Sequence, residues 1–129
     1  MYGFNISLQG DLPSIREQVT AALQQEGFGI LTEIDVAATL KKKLDVERRP
    51  YVILGACNPQ LANQAINAEP DIGLLLPCNV VLREEEDGSI TVGFMDPGAV
   101  LALVERPDIE GLASEVRARL QRVAAAVSA

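Results

Sequence analysis

At 129 residues, with 48% apolar and 22% charged side chains, the chain has the composition of one folded domain rather than a disordered segment. Eleven basic and eighteen acidic side chains give a net charge of −7, which disfavours nucleic acid and anionic membrane as partners. The complete absence of histidine removes Ser-His-Asp and Cys-His catalysis and every metal site that needs an imidazole ligand.

Ile6 and Leu8 alternate with Ser7 and Gln9 and predict a first strand that ends at Gly10. Asp11 then caps a helix whose apolar positions are Ile15, Val19, Ala22 and Leu23. Gly27 stands where a helix C-terminus needs a positive φ. Phe28, Ile30, Thr32 and Ile34 alternate as a second strand. Asp35 caps a short helix with Val36, Leu40 and Leu44 on one side and a lysine run on its wet side. The stretch from Lys41 to Arg49 is the basic one: it carries +3 and leaves −10 for the remainder. It reads as a solvated helix face and turn, although five basic side chains there would also suit a small anion or an acidic partner.

Pro50 opens a third strand, Tyr51 to Cys57. Asn58-Pro59 follows as N-cap and first helical residue, since proline at that position sacrifices no hydrogen bond. Leu61, Ala65 and Ile66 give this third helix one apolar stripe. Pro70 and Gly73 end it and lead into the longest predicted strand, Leu74 to about Glu85. Glu86-Asp87-Gly88 signals a hairpin. A three-residue loop with Gly88 in the left-handed region pairs Val80 with Phe94 and Leu82 with Val92, so apolar faces agree. That register also sets Cys78 opposite Asp96. Asp96-Pro97 repeats the cap-plus-proline pattern. From Asp108 a last helix buries Ile109, Leu112, Val116, Leu120, Val123 and Val127, with Arg119 on its polar face.

This order predicts a single α+β domain over residues 1–129. It is a two-layer sandwich with helices packed on one face of a mainly antiparallel, curved sheet of about five strands. No glycine-rich phosphate loop precedes the first helix, and no apolar run approaches a membrane span. The start lacks the basic and apolar regions of a signal peptide, so the expected location is the cytoplasm, where cysteines are usually reduced.

Both cysteines lie in mirrored strings, Cys57-Asn58-Pro59 and Pro77-Cys78-Asn79. Cys57 sits between a strand end and a helix N-terminus, where unpaired N–H groups lower a thiol pKa. It reads as readily as a small buried hydrophobe at a strand end. Gly55, two residues upstream on the same strand face, leaves room for a ligand or another backbone. Cys78 shares its predicted face with Leu74, Leu76, Val80 and Leu82, which is core. Pro77 marks an edge or bulge, and Asn79 points the other way. If the helix after Cys57 is a crossover, the two cysteine-bearing strands run parallel. The thiols then stand at similar height, with Asp96 beside Cys78. Such a cluster suits a soft metal on Cys57 and Cys78, a persulfide or a redox pair. Two cysteines alone are too few for a structural zinc site. Capping accounts for Asp35 and Asp96, and solvent exposure for Glu33.

Four ordered motifs support a family resemblance: Gly27 to Val36, Thr39 to Leu44, Leu54 to Pro59, and Leu76 to Asn79. Together they make the chain resemble the domain-of-unknown-function 302 family along nearly its whole length. The resemblance implies a two-layer sandwich similar in topology to the TATA-binding-protein fold, and a homodimer. It implies no activity, because the family has none established, and a fold name carries no function. It adds weight to the two cysteine motifs as one site.

The function expected first is therefore a small cytoplasmic binding domain for a small molecule, soft metal or sulfur species. Its site would be Cys57, Asn58, Pro59, Cys78, Asn79 and Asp96, with no nucleic acid or membrane partner and no assigned cofactor. The alternatives are a thiol-dependent sulfur or redox enzyme with Cys57 as the catalytic candidate, and a structural or protein-interaction domain with core cysteines.

Overall fold

The computed structural model describes residues 1–128. The strands are β1 (Gly3–Leu8), β2 (Gly29–Asp35), β3 (Tyr51–Cys57), β4 (Cys78–Glu84) and β5 (Ile90–Met95). The helices are α1 (Leu12–Gln25), α2 (Val36–Leu44), α3 (Pro59–Ala68), α4 (Pro97–Val100) and α5 (Pro107–Ser128). 3₁₀ segments run over Pro70–Leu75 and Leu101–Val104. The five strands form one open, antiparallel sheet in the order β1-β5-β4-β3-β2, as an α+β sandwich requires.

Four side chains start helices as the sequence indicates. Asp11, Asp35, Asn58 and Asp96 each accept a bond from a first-turn backbone N–H of α1, α2, α3 and α4, and proline follows closely in three of the four. Gly27 follows the end of α1 at φ +86°. In the hairpin, Gly88 stands at φ +87° and Val80 pairs with Phe94, so the bulged register holds.

The helix-facing side of the sheet is Val52, Leu54, Ala56, Cys78, Val80, Leu82, Ile90, Val92 and Phe94, all buried. Helices α1 and α5 close over it with Ile15, Val19, Leu23, Val116, Leu120 and Val123. A second apolar cluster joins α3, both 3₁₀ segments and the first half of α5 through Ala65, Ile72, Leu101, Ile109 and Ala113.

Several local expectations change. The alternation in β2 is broken by a bulge between Ile30 and Thr32. Ile30 pairs with the core-facing Ala56, but Thr32 pairs with Gly55 and Ile34 with Ile53, on the opposite face. One extra residue inverts every side chain beyond it. Glu33 thereby reaches the helix side, where Arg16 Nε donates to both its carboxylate oxygens at 3.0 Å; it is a partner of α1, not merely a solvated acid.

The strand expected from Leu74 begins only at Cys78. Pro70 to Leu75 coil into a 3₁₀ segment that Glu69 caps, Leu74 is 85% exposed, and the Leu76–Pro77 peptide is cis. The strands carrying the cysteines run antiparallel, not parallel. Seven strand residues span about 23 Å, and the ten residues of α3 rise only about 15 Å. The helix alone does not carry the chain back to the start of β3, and β4 enters from the same end. On α2, Val36 and Leu40 are half-buried but Leu44 is exposed, so that stripe covers the sheet only in part.

Candidate functional site

A cavity of about 330 Å³ lies where the two apolar clusters meet. Its sheet wall is Phe28, Ala56, Cys57 and Cys78. Leu61, Ala62, Ala65 and Ile66 come from α3, Leu112 and Val116 from α5, and Leu101 from the second 3₁₀ segment. Gly73, Leu76 and Pro77 close one side, and the β2 bulge supplies Leu31 and Thr32. Sheet and helices each bury their apolar faces well, but the seam between the clusters stays unfilled.

Of the residues singled out in sequence, the cavity gathers Cys57 and Asn58 from the first motif and Pro77 and Cys78 from the second. Antiparallel pairing brings them together: Ala56 faces Cys78 across the ladder, so the end of β3 and the start of β4 are neighbours. Pro59 and Asn79 lie elsewhere. Pro59 borders a surface hollow with Gln60 and Asn63, and Asn79 faces the uncovered side of the sheet with Tyr51 and Val81. Asp96 also stands apart. The β4–β5 ladder begins at Val80–Phe94 and leaves Cys78 without a partner on β5. Asp96 caps α4 through Gly98 N–H at 2.9 Å and pairs with Arg117 Nε at 3.1 Å.

The thiols are not acidified. Burial pushes the partly exposed Cys57 thiol above its ordinary value. Burial, and secondarily the neighbouring Cys57, push Cys78 up to about 11. The donors expected to favour a Cys57 thiolate serve Asn58 instead, whose Oδ1 accepts from Leu61 N–H at 3.1 Å. The space beside Gly55 is occupied from within: a Cβ there would collide with Thr32 Oγ1 and stand 2.9 Å from Pro77 Cγ. Glycine at this position permits the close approach of Thr32 and Pro77 rather than of a ligand. Among the described residues, no group of three or more Cys, Asp or Glu side chains is placed to hold a metal ion, so a metal here would have only the two thiols.

Most of the cavity wall escaped sequence reasoning because apolar residues at helical spacing read simply as core. One signal was present. From Tyr51 to Leu82 the chain carries only Glu69 and Asp71 as charges, although 22% of the whole chain is charged. That stretch builds most of the wall.

The model of the family described as "Domain of unknown function DUF302" matches residues 4–127. An uncharacterized conserved protein DUF302 from Bacillus stearothermophilus, solved by crystallography, is similar at TM-score 0.87 and 28% identity, covering 99% of this chain and 97% of that one. An uncharacterized protein of Aquifex aeolicus (strain VF5) is 32% identical over 53 residues, which are 40% of this chain and 37% of that protein.

Proposed function

For this chain, which belongs to the DUF302 family of unknown function, we propose a role as a binding domain for a small apolar molecule, held in the cavity between the two core clusters. The observation that carries this reading is the lining: an open space of about 330 Å³ walled mostly by leucine, isoleucine, alanine, valine, phenylalanine and proline, with two thiols and only Thr32 and Asn58 as polar side chains. Small-molecule sites are typically concave, mostly apolar and roughly 300–1,000 Å³ in volume. Cys57 stands partly exposed at this wall and Cys78 is buried in it, so the thiols act here as soft, weakly polar contacts. The cytoplasm, where thiols stay reduced, suits such a carrier.

The thiol-enzyme alternative is disfavoured by two features: no imidazole exists in the chain, and burial raises both thiols instead of lowering one. A soft-metal site would rest on two thiols that must each lose a proton inside an apolar wall.

Calorimetric titration with straight-chain alcohols from butanol to decanol tests the proposal. Affinity should rise about fourfold per added methylene, the equivalent of about 0.8 kcal/mol of buried CH₂, until the chain outgrows the space. Ala65→Phe, which fills the cavity, should abolish binding while circular dichroism shows a folded protein. Absence of saturable binding by any alcohol to the folded wild type would remove the proposal.

A further inference from the structure

We infer, resting on the cavity reading above, that the ligand is uncharged: a neutral aliphatic molecule is accepted and carboxylates and ammonium ions of the same length are rejected. No aspartate, glutamate, lysine or arginine lines the cavity. A space of about 330 Å³ holds about ten groups the size of a water molecule or methylene.

The polar side chains at the wall, Asn58 and Thr32, carry no charge. Asn58, buried, accepts on Oδ1 from Leu61 N–H at 3.1 Å, and Thr32 Oγ1 is pressed against Gly55. Among the described residues no buried side-chain nitrogen or oxygen lacks a hydrogen-bond partner, so no wholly buried polar side-chain atom is left to meet a charged headgroup. The two thiols stay protonated near neutral pH, because burial raises both, and supply no counter-charge. Acidic and basic residues are also scarce nearby along the chain: between Tyr51 and Leu82 only Glu69 and Asp71 occur, and neither lines the cavity. The rim offers Leu31 and Ile66, 66% and 45% exposed, where a headgroup would need a cation.

An ion entering this space loses its hydration and gains no partner, which is the costly case for a buried charge. A neutral hydroxyl or carbonyl loses far less. The net charge of −7 adds a second discrimination, since it repels anions and mildly attracts cations. The order expected is neutral ligand first, ammonium second, carboxylate last.

The test compares 1-octanol, octylammonium and octanoate on the full chain at pH 7.5 by calorimetry. Octanol should bind at least tenfold more tightly than octanoate, with octylammonium between them. Ile66→Lys, which places a cation at the rim, should narrow the octanol–octanoate gap at least fivefold; Leu31→Lys on β2 serves if the first variant does not fold. Equal affinity for the three ligands, or preference for octanoate, overturns the neutrality inference while leaving the cavity reading intact. Failure of all three to bind the folded wild type overturns both. A gap unchanged in a folded lysine variant overturns the account of the rim.

Discussion

Arg119 on α5 donates from Nη1 to the backbone carbonyl of Glu26 at 2.9 Å, 93 residues earlier in the chain. The carbonyl belongs to the C-terminal cap of α1, where the helix leaves its last oxygens without internal partners. Arg119 also pairs with Glu115 one turn before it, and its guanidinium lies where a Cβ on Gly27 would meet it at 3.2 Å. The helix face that reads as polar in sequence is therefore a tie between the two helices that cover the sheet.

Arg119→Ala should accordingly cost about 1–2 kcal/mol, at the lower end of hydrogen bonds involving a charged group because the side chain is partly exposed. Arg122→Ala, which removes a more exposed ion pair with Glu26, should stay within about 0.5 kcal/mol. Urea denaturation distinguishes them. Equal, negligible losses would show that the Arg119 bond does not join α1 to α5.

Leu120 is fully buried beneath the sheet-facing side of α5. Leu120→Ala should lose about 2–5 kcal/mol through lost transfer free energy and the space left behind. Thermal unfolding of wild type and variant is the measurement, and a loss under about 1 kcal/mol would mean that α5 packs elsewhere.

Gly88 tests the hairpin alone, because a Cβ there meets nothing within 4 Å and only its φ of +87° is at stake. Gly88→Ala should cost about 1 kcal/mol. A neutral outcome in chemical denaturation argues against the left-handed turn.

Gly55 poses the opposite case, where the space itself is taken. Gly55→Ala should cost about 2 kcal/mol or more from collision with Thr32 and Pro77. Adding Thr32→Ala should restore part of the loss, as expected for residues in contact. Strict additivity of the two substitutions would show that they do not touch.

The thiols predict a particular alkaline behaviour. Cys78 holds its proton in the folded state up to about 11, against 9.0 for an ordinary thiol. Between those values the unfolded chain binds fewer protons than the folded one, so stability is fully present below about pH 9 and falls as pH rises toward 11. The loss is on the order of 2 kcal/mol. The comparison is with Cys78→Val, which should flatten that part of the curve. Iodoacetamide should modify Cys57 before Cys78, and neither rapidly at pH 7. A fast neutral-pH reaction at Cys57 would restore the thiolate reading.

Features that depend on near neighbours were legible in the sequence. Caps at Asp11, Asp35, Asn58 and Asp96 are three- or four-residue chemistry, and each starts its helix. The hairpin register followed from matching apolar faces on either side of Gly88. The stripe of α5 was legible from spacing, with Ala113 and Ala124 taking buried places that Leu112 and Val127 share only in part. Charge and the missing histidine excluded whole classes of chemistry before any fold was drawn.

Tertiary structure decided what depends on the path between elements. The direction of β4 relative to β3 turned on the whole path from Asn58 to Pro77, of which the helix is only ten residues, and that direction set Cys78 across from Ala56; Asp96 falls beyond the last β4–β5 pair and caps α4. The bulge after Ile30 carries no local signature, because apolar alternation continues through Thr32 and Ile34 while the pairing shifts beneath it. It moved Glu33 to Arg16 and Leu31 to the cavity rim. The cavity itself is a mismatch between two well-packed clusters, and a volume left unfilled between separate elements has no signature in the spacing along any one of them.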